Sequence, residues 1–192
     1  MIAIVKYNAG NIKSVQNALN RLGYESIITD DPSELINAYK VIFPGVGEAS
    51  SAMRYLREKG LDKIITSLKQ PVLGICLGLQ LMCRYSEEGD TNCLGIYDVN
   101  VRLFPPVDKI PHIGWHNSMT IKSDLFKGVK VIDDLYFVHS YYAEISSFTT
   151  ATCDYIVPFS SAMQKNNFYA TQFHPEKSAG PGEKILKNFL EL

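Results

Sequence analysis

The sequence has few cysteines and almost no excess charge of either sign. Only four of its 192 residues are cysteine, at positions 76, 83, 93 and 153, and no two of them form a C-x-x-C pair. This sparse usage excludes a disulfide-stapled scaffold and gives no spacing for a zinc ribbon or a thioredoxin-type redox motif. Lys and Arg number 19 against 20 Asp and Glu, a net charge of −1. That balance disfavours a nucleic-acid-binding protein with a broad basic surface.

Long hydrophobic runs are also missing. No run approaches the roughly 18 apolar residues that a membrane-spanning helix needs. The apolar run Ile2–Val5 is too short for a signal peptide and lacks the charged flank of one. We therefore expect no membrane association and a reducing, cytoplasmic location. Hydrophobic residues make up 46% of the chain and charged residues 20%, as in globular domains that form a core.

Strand and helix patterns alternate along the first 85 residues. Ile2–Val5 predicts a buried strand, and the apolar spacing from Ile12 to Leu22 predicts a helix after it. Further strands are predicted at 25–29, 40–43 and 72–75, and a further helical stripe at 61–68. Another helix should start at 31–34, where an acidic N-cap is followed by Pro and Glu. Such alternation indicates a mostly parallel sheet with helices on both faces.

The pattern changes between about residues 92 and 173, where short alternating runs are separated by turn residues. The runs at 99–104, 135–140, 149–155 and 168–173 predict antiparallel strands added to the sheet. The apolar face of 185–190 predicts a last helix. We expect one three-layer α/β domain over residues 1–192. Its central sheet should be mostly parallel, with helices on both faces and additional antiparallel strands in the C-terminal half.

The strongest chemical signal is the segment Gly74-Ile75-Cys76-Leu77-Gly78. A predicted buried strand runs into it and an apolar helical stretch follows it, which is the pattern of a nucleophile elbow with Cys in place of Ser. The turn is so tight that its flanking residues need minimal side chains. A thiol at a helix N-terminus is favoured as thiolate, and the N–H of Leu77 is placed to donate to an oxyanion. An isolated Cys is more often a buried structural residue, but this context favours the nucleophile.

A cysteine nucleophile needs a base and a group that orients the base. Of the four histidines, His174 has a carboxylate at a useful spacing, in Phe173-His174-Pro175-Glu176. In an extended segment residues i and i+2 project to the same face, so His174 and Glu176 should point together. A surface His-Pro-Glu turn is the alternative, and the elbow in the same chain favours a Cys76–His174–Glu176 triad.

A second glycine-rich segment, Pro44-Gly45-Val46-Gly47, directly follows a predicted strand. Its glycines permit backbone conformations in which N–H groups face a ligand. It is either an ordinary strand-to-helix turn or the second oxyanion donor, which elbow enzymes take from a neighbouring strand's loop.

Several other residues allow two interpretations. Cys83, Cys93 and Cys153 are predicted to be inert core residues. His139 lies in a predicted strand, where a satisfied core histidine is at least as well supported as a catalytic one. Trp115, the only tryptophan, is either a core residue or an interface anchor in a loop.

These residues together carry a family resemblance over essentially the whole chain. The chain resembles the class I (triad) glutamine amidotransferases and, within them, the glutaminase subunits of imidazole glycerol phosphate synthases. The elbow, continued by Gln80, and the His-Pro-Glu segment are shared across the class. The other specific segments of the match are 10–15, 44–47, 111–115, 137–141 and 172–178, and the narrower group is favoured by Gly114-Trp115 and by the ending Glu176-Lys177-Ser178.

The resemblance implies that glutamine is hydrolysed to glutamate and ammonia through a thioester on Cys76, with no cofactor and no metal. His174 would move the protons and Glu176 would orient it. The ammonia would pass to a (β/α)₈-barrel cyclase, in a heterodimer that makes imidazole glycerol phosphate and an aminoimidazole carboxamide ribotide in histidine biosynthesis. Family positions that hold glutamine or the oxyanion match Gly45, Val46, Gly47, Leu77, Gln80, Ser140 and Tyr141. Those that face the partner match Asn11, Trp115, Tyr136 and Lys177.

Three other functions remain open at this point. The same glutaminase chemistry could feed ammonia to a sugar-aminating partner. The chain could also be a catalytically silent regulatory module, although the intact Cys76, His174 and Glu176 argue against that. A stand-alone thiol hydrolase is disfavoured by Gln80 and by the Gly-Trp and Glu-Lys-Ser segments.

Overall fold

The structure is a computed structural model that describes residues 1–7, 10, 12–118 and 120–192. The strands are β1 Ile2–Val5, β2 Ser26–Thr29, β3 Lys40–Gly45, β4 Val72–Cys76, β5 Tyr85–Ser86, β6 Thr91–Asn92, β7 Asn100–Leu103, β8 His112–His116, β9 Thr120–Ile121, β10 Leu135–His139, β11 Tyr141–Ala143, β12 Thr149–Asp154, β13 Pro158–Lys165 and β14 Phe168–Thr171. The helices are α1 Ile12–Arg21, α2 Pro32–Asn37, α3 Ala49–Glu58, α4 Leu61–Ser67, α5 Leu77–Met82 and α6 Ala179–Glu191. Within these ranges no helix is long and apolar enough to cross a membrane.

The central sheet has eight strands in the order β2-β1-β3-β4-β14-β13-β12-β9. The first five run parallel, and the last three are joined to them by antiparallel pairs. Two smaller sheets lie outside it, β8 with β10 and β11-β7-β5-β6. The expected α/β class, with a mostly parallel sheet and antiparallel strands in the C-terminal half, is therefore confirmed.

The sheet separates two apolar cores, because successive side chains of a strand point to opposite faces. Along β1, Ala3 and Val5 pack with α2 to α5, whereas Ile2 and Ile4 pack with α1 and α6. Both faces are thus covered by helices, which is the three-layer arrangement that a buried parallel sheet requires. The N-cap at Asp31 formed as predicted, since its carboxylate accepts from the backbone N–H groups of Ser33 and Glu34.

The structure differs from the predicted pattern in three places. The run at 168–173 forms β14, which pairs parallel with β4 and antiparallel with β13. The runs at 99–104 and 135–140 form β7 and β10, which belong to the small sheets. Helix α3 was not predicted, because two of its buried positions, Ala49 and Ala52, are alanines that contribute little to an apolar stripe.

The order of the strands determines where the chemistry can occur. Strand β4 lies between β3 and β14, and all three run parallel. Their carboxyl ends therefore meet at one edge of the sheet, which is where α/β folds place their sites. Cys76 ends β4, the glycine-rich segment at 44–47 ends β3, and His174 follows the end of β14 closely.

Candidate active site

Cys76 lies at a sharp turn between β4 and α5, as the elbow pattern predicts. Its φ of 55° and ψ of −107° are unusual for a residue with a side chain, and such strain is stored mainly at functional sites. Close packing leaves little room at the flanking glycines. A Cβ on Gly78 would lie 1.8 Å from the carbonyl oxygen of Phe43, and one on Gly74 would lie 3.0 Å from the backbone carbonyl carbon of Gly78.

His174 and Glu176 form a buried pair. Nδ1 of His174 donates to Oε1 of Glu176 over 2.8 Å, and the two side chains are 2% and 1% exposed. The expected cause was wrong, because the segment is not extended. A 3₁₀ turn at Pro175–Lys177 brings the two side chains together, and Ser178 Oγ donates to the His174 carbonyl over 2.7 Å. By holding the two side chains together, the turn keeps a proton on Nδ1 of His174, where Glu176 accepts the hydrogen bond, and leaves Nε2 outside this pair.

The sulfur of Cys76 influences the charge of the His174 ring. Burial by itself opposes protonation of this imidazole, but the Cys76 thiolate, with further help from Glu176, raises the pKa of His174 to about 10. Nε2 of His174 has no hydrogen-bond partner within the described ranges. One ring nitrogen of His174 is thus held by a carboxylate, and the other is available for proton transfer.

A cavity of about 270 Å³ opens in front of Cys76. It brings together seven of the predicted site residues: Val46, Gly47, Cys76, Leu77, Gln80, Ser140 and Tyr141. Gly45 lies in an adjoining small gap that Val46, His174 and Glu176 also line. The predicted nucleophile, substrate and oxyanion residues thus surround one cavity and the gap beside it.

The cavity is also lined by His139, whose role the sequence left open, and by three residues to which the sequence gave no role, namely Glu88, Pro111 and Val138. Glu88 matters most for charge. Its carboxylate accepts from the backbone N–H of Ala49 over 2.8 Å, and burial raises its pKa. A carboxylate in a cavity of this size fits a ligand that carries an ammonium group. The sequence signal for Glu88 was the acidic pair Glu87-Glu88 before Gly89. Such a pair is equally compatible with a solvent-exposed surface, so it did not indicate a binding site.

The loop after β3 approaches the elbow closely. A Cβ on Gly45 would lie 1.9 Å from the hydroxyl of Tyr7 and 3.1 Å from Cβ of Leu77, so only glycine fits. Gly47 has φ of 134°, and the Val46 carbonyl accepts from the N–H of Gly10 over 3.3 Å. Leu77 is the first residue of α5, where backbone N–H groups lack partners within the helix.

Three of the four residues predicted to face a partner form one surface cluster, in which Trp115 and Lys177 are exposed and Tyr136 is half-buried. Trp115 is 51% exposed and packs edge-on against Tyr136, with ring centroids 5.7 Å apart. The Lys177 ammonium lies 5.7 Å from the centroid of the same Tyr136 ring. The fourth residue, Asn11, lies outside the described residues. Trp115 is too exposed to be a core residue, so the core interpretation is wrong.

The other three cysteines are unsuited to nucleophilic chemistry. All four cysteines are free. Burial raises the pKa of Cys93 and of Cys153 to about 12, and raises the pKa of Cys83 well above its usual value. These thiols therefore stay protonated at neutral pH.

Brief treatment with a glutamine-like electrophile should label Cys76 ahead of the other three thiols. Cys76 alone of the four lies beside the imidazole of His174, and the other thiols are held protonated by burial. Mass mapping of the labelled protein checks this. Preferential labelling of Cys83, Cys93 or Cys153 would contradict the elbow assignment.

A pair of buried histidines supports the wall of the cavity. His139 Nδ1 is 2.7 Å from the Tyr141 carbonyl, and His139 Nε2 is 3.1 Å from His112 Nδ1. The ring of His112 stacks between Phe137 and Tyr155. Burial lowers the pKa of His139 to about 3 and that of His112 to about 4. Both rings are thus neutral at pH 7, and His139 is hydrogen-bonded as well as lining the cavity.

Replacing His112 by Phe should reduce the acid sensitivity of the fold. In the unfolded chain His112 binds a proton near pH 6.5, whereas folding lowers its pKa to about 4. The free energy of unfolding therefore falls as the pH drops from 6.5 towards 4. Between pH 7 and pH 5 the wild type should lose up to about 2 kcal/mol more than His112→Phe. Urea unfolding at both pH values tests this, and equal losses would contradict it.

No group of three or more His, Cys, Asp or Glu side chains that could hold a metal ion occurs within residues 1–7, 10, 12–118 and 120–192.

Comparisons with known proteins identify the family. The family model described as "Glutamine amidotransferase class-I" matches residues 3–192. The chain belongs to the class-I glutamine amidotransferases, as its motifs predicted. It is 60% identical over 194 residues to "Imidazole glycerol phosphate synthase subunit HisH" of Bacteroides fragilis (strain YCH46), covering 100% of this chain and 99% of that relative. The protein of the same name from Bacteroides thetaiotaomicron is 57% identical with the same coverage.

Solved structures support the fold at much lower identity. PurLQS from Thermotoga maritima aligns with a TM-score of 0.74 and 15% identity, covering 99% of this chain and 97% of that one. Another glutamine amidotransferase from Thermotoga maritima aligns with a TM-score of 0.66 and 15% identity, covering 99% and 96%. At such identities the likeness concerns the fold alone.

Proposed function

We propose that this chain is the glutaminase subunit of an imidazole glycerol phosphate synthase. It hydrolyses glutamine to glutamate and ammonia and supplies the ammonia to a cyclase subunit in histidine biosynthesis. The observation that carries the proposal is the strained Cys76 elbow beside the buried His174–Glu176 pair. The full-length relatives at 57–60% identity, which carry the name of this synthase's HisH subunit, support the choice within the family.

The proposed reaction uses the three side chains in sequence. The Cys76 thiolate attacks the carboxamide carbon of glutamine, and the C–N bond breaks as protonated His174 gives its proton to the leaving ammonia. A glutamyl thioester remains on the sulfur. His174 then takes a proton from water, the hydroxide attacks the thioester, and glutamate leaves as the thiolate reforms. Glu176 holds Nδ1 of the ring and stabilises the imidazolium.

The remaining cavity residues are assigned to binding. Gln80, Ser140 and Tyr141, with the backbone of Gly47, hold the glutamine. Glu88, a carboxylate in the same cavity, suits its ammonium group. The N–H groups of Val46 and Leu77 donate to the oxyanion of the tetrahedral intermediate, and the close approach at Gly45 brings the two segments together.

The partner is proposed to be a (β/α)₈-barrel cyclase, bound as a heterodimer through the Trp115–Tyr136–Lys177 cluster together with Asn11. The exposure of Trp115 supports this role, because half of its surface is open to solvent, although the same strand begins at the buried His112. We also propose that residues 1–192 form one amidotransferase domain and that the complex works in the cytoplasm. A reducing compartment suits a catalytic thiol among four free cysteines.

Reconstitution with the cyclase subunit of the same organism tests the proposal. Imidazole glycerol phosphate should form with glutamine as the nitrogen donor, and also with high ammonium in the absence of this chain. Glutamine hydrolysis without any product from the cyclase would point instead to a different acceptor, such as a sugar. The absence of hydrolysis in every complex would indicate a silent module.

A further inference from the structure

The sulfur of Cys76 has a hydrogen-bond donor outside the triad. Nε2 of Gln172 lies 3.6 Å from Sγ of Cys76, within the range for a bond to sulfur. Gln172 is fully buried and lies just before His174, in the segment that follows β14. Its backbone N–H donates to the Ser161 carbonyl over 2.9 Å, so the main chain that carries this amide is fixed to β13.

The hydrogen-bond network settles which end of the Gln172 amide faces the sulfur. The Tyr141 carbonyl can only accept, so the Gln80 atom 2.9 Å from it must be the amide nitrogen. That nitrogen also donates to the second acceptor, which must then be the oxygen of Gln172, 3.1 Å away. The nitrogen of Gln172 is therefore the end that faces Cys76.

The Tyr141 carbonyl that fixes the Gln80 amide is itself held by a second donor. His139 donates through Nδ1 to the Tyr141 carbonyl over 2.7 Å, so this carbonyl has two donors that hold it in place. With both hydrogens of the Gln80 nitrogen used by protein acceptors, neither amide can turn over without losing buried hydrogen bonds. A fixed N–H dipole thus points at the nucleophile before substrate arrives.

We propose that Gln172 is a further catalytic residue of the glutaminase reaction, whose amide N–H stabilises the thiolate of Cys76. The inference rests on the proposed function and deepens it. A hydrogen bond to an ionised acceptor is stronger than one to a neutral group, so this donor favours the thiolate over the thiol. It also stabilises the thiolate that leaves when the thioester is hydrolysed. Gln80 lines the cavity in front of Cys76. The hydrogen bonds from Gln80 to Gln172 and from Gln172 to Cys76 therefore connect the nucleophile to the proposed glutamine site.

Gln172→Glu is the sharpest test, because it keeps the shape and replaces the donor by an acceptor that repels the thiolate. The rate of Cys76 alkylation by iodoacetamide should fall about tenfold or more at pH 7. The midpoint of its pH profile should rise by about one unit, since one unit corresponds to a tenfold change in equilibrium. The other titratable groups that influence the sulfur, His174 and Tyr7, are unchanged. In the complex, kcat for glutamine should fall with little change in KM.

Two further variants keep the result interpretable. Gln172→Met removes the donor without adding charge and should slow alkylation in the same direction by a smaller factor. Gln164→Glu is the matched control on β13, where the side chain accepts from Ser123 Oγ and takes no part in the site. It should alkylate as the wild type does.

Wild-type alkylation rates and profiles in both Gln172 variants would overturn the inference. The inference would also be overturned if the variants lost activity only in proportion to a lower free energy of unfolding, while the pH profile of alkylation stayed unchanged. Alkylation needs no glutamine, so this readout stands even if the protein proves to use another substrate. A shifted profile with no glutaminase activity in the wild type would leave the donor assigned and reject the proposed function.

Discussion

Replacing Cys76 by Ala or Ser should abolish glutamine hydrolysis while leaving ammonia-dependent synthesis by the partner intact. The thioester route needs the sulfur at the elbow, and a serine hydroxyl at the same turn is a much weaker nucleophile than a thiolate. Loss of a triad nucleophile typically lowers kcat by about 10⁴-fold or more. The cyclase, given ammonium directly, has no use for the thiol. Both activities are measured on the purified complex, with glutamine and with ammonium as donors.

Cys93→Ala is the control for this experiment, because Cys93 is a free thiol away from the cavity whose pKa burial raises to about 12. It should hydrolyse glutamine at the wild-type rate. Glutaminase activity near the wild-type level in Cys76→Ala would reject the assignment of the nucleophile. Loss of the ammonium-dependent reaction as well would show that the substitution disrupts the complex instead.

The parts of this site that the sequence predicted are those with local causes. The elbow follows from two glycines around Cys76, since backbone atoms exclude a Cβ at Gly78 and crowd one at Gly74. The strand that precedes it and the helix that follows it are continuous apolar stretches. The helix cap at Asp31 is likewise local, since its acceptor and donors lie within three residues. Short-range sterics and hydrogen bonding decided these features, so the residues alone were sufficient.

The features that were missed depend on chain segments far apart in sequence. Gln172 reaches Cys76 and Gln80 across more than 90 residues, and no spacing rule connects them. Glu88 lies between β5 and β6, and its carboxylate accepts from the N-terminus of α3. Helix α3 was itself not predicted, because its buried alanines contribute little to an apolar stripe. His174 and Glu176 were predicted to meet for the wrong reason. A 3₁₀ turn, which a Pro at its first position favours, produced the contact that an extended segment was expected to give.

The isolated subunit should be a poor glutaminase that becomes active when a partner with bound ligand is present. The loop that should supply one oxyanion donor is flanked by Gly45 and Gly47, and Gly47 has a φ of 134°. Glycines on both sides of Val46 let its peptide groups adopt more than one arrangement. If the donor N–H faces away in the free subunit, one oxyanion contact is missing, which costs about 10²–10³ in rate, or about 3–4 kcal/mol.

A partner supplies this stabilisation only if it binds the productive loop arrangement more tightly than the other. To restore a rate loss of about 10²–10³, the partner must bind the productive arrangement about 10²–10³-fold more tightly than the other one. A ligand shifts a conformational equilibrium only by the ratio of its affinities for the two states. Turnover should therefore rise from the free protein, to the complex, to the complex with cyclase ligand. Equal turnover in all three would refute the coupling without affecting the triad.

Val46→Pro should remove most of the stimulation while the complex still forms, because proline has no backbone N–H to donate. Val46→Ala is the matched control, since it keeps the N–H and shortens the same side chain. With the ligand-bound partner, Val46→Pro should fall about 10²–10³-fold below Val46→Ala in kcat, and binding measured by titration calorimetry should be similar for both. Full stimulation of Val46→Pro would exclude this N–H as the oxyanion donor. The donor would then be the N–H of Leu77 at the start of α5 alone, which the elbow holds in place with or without a partner.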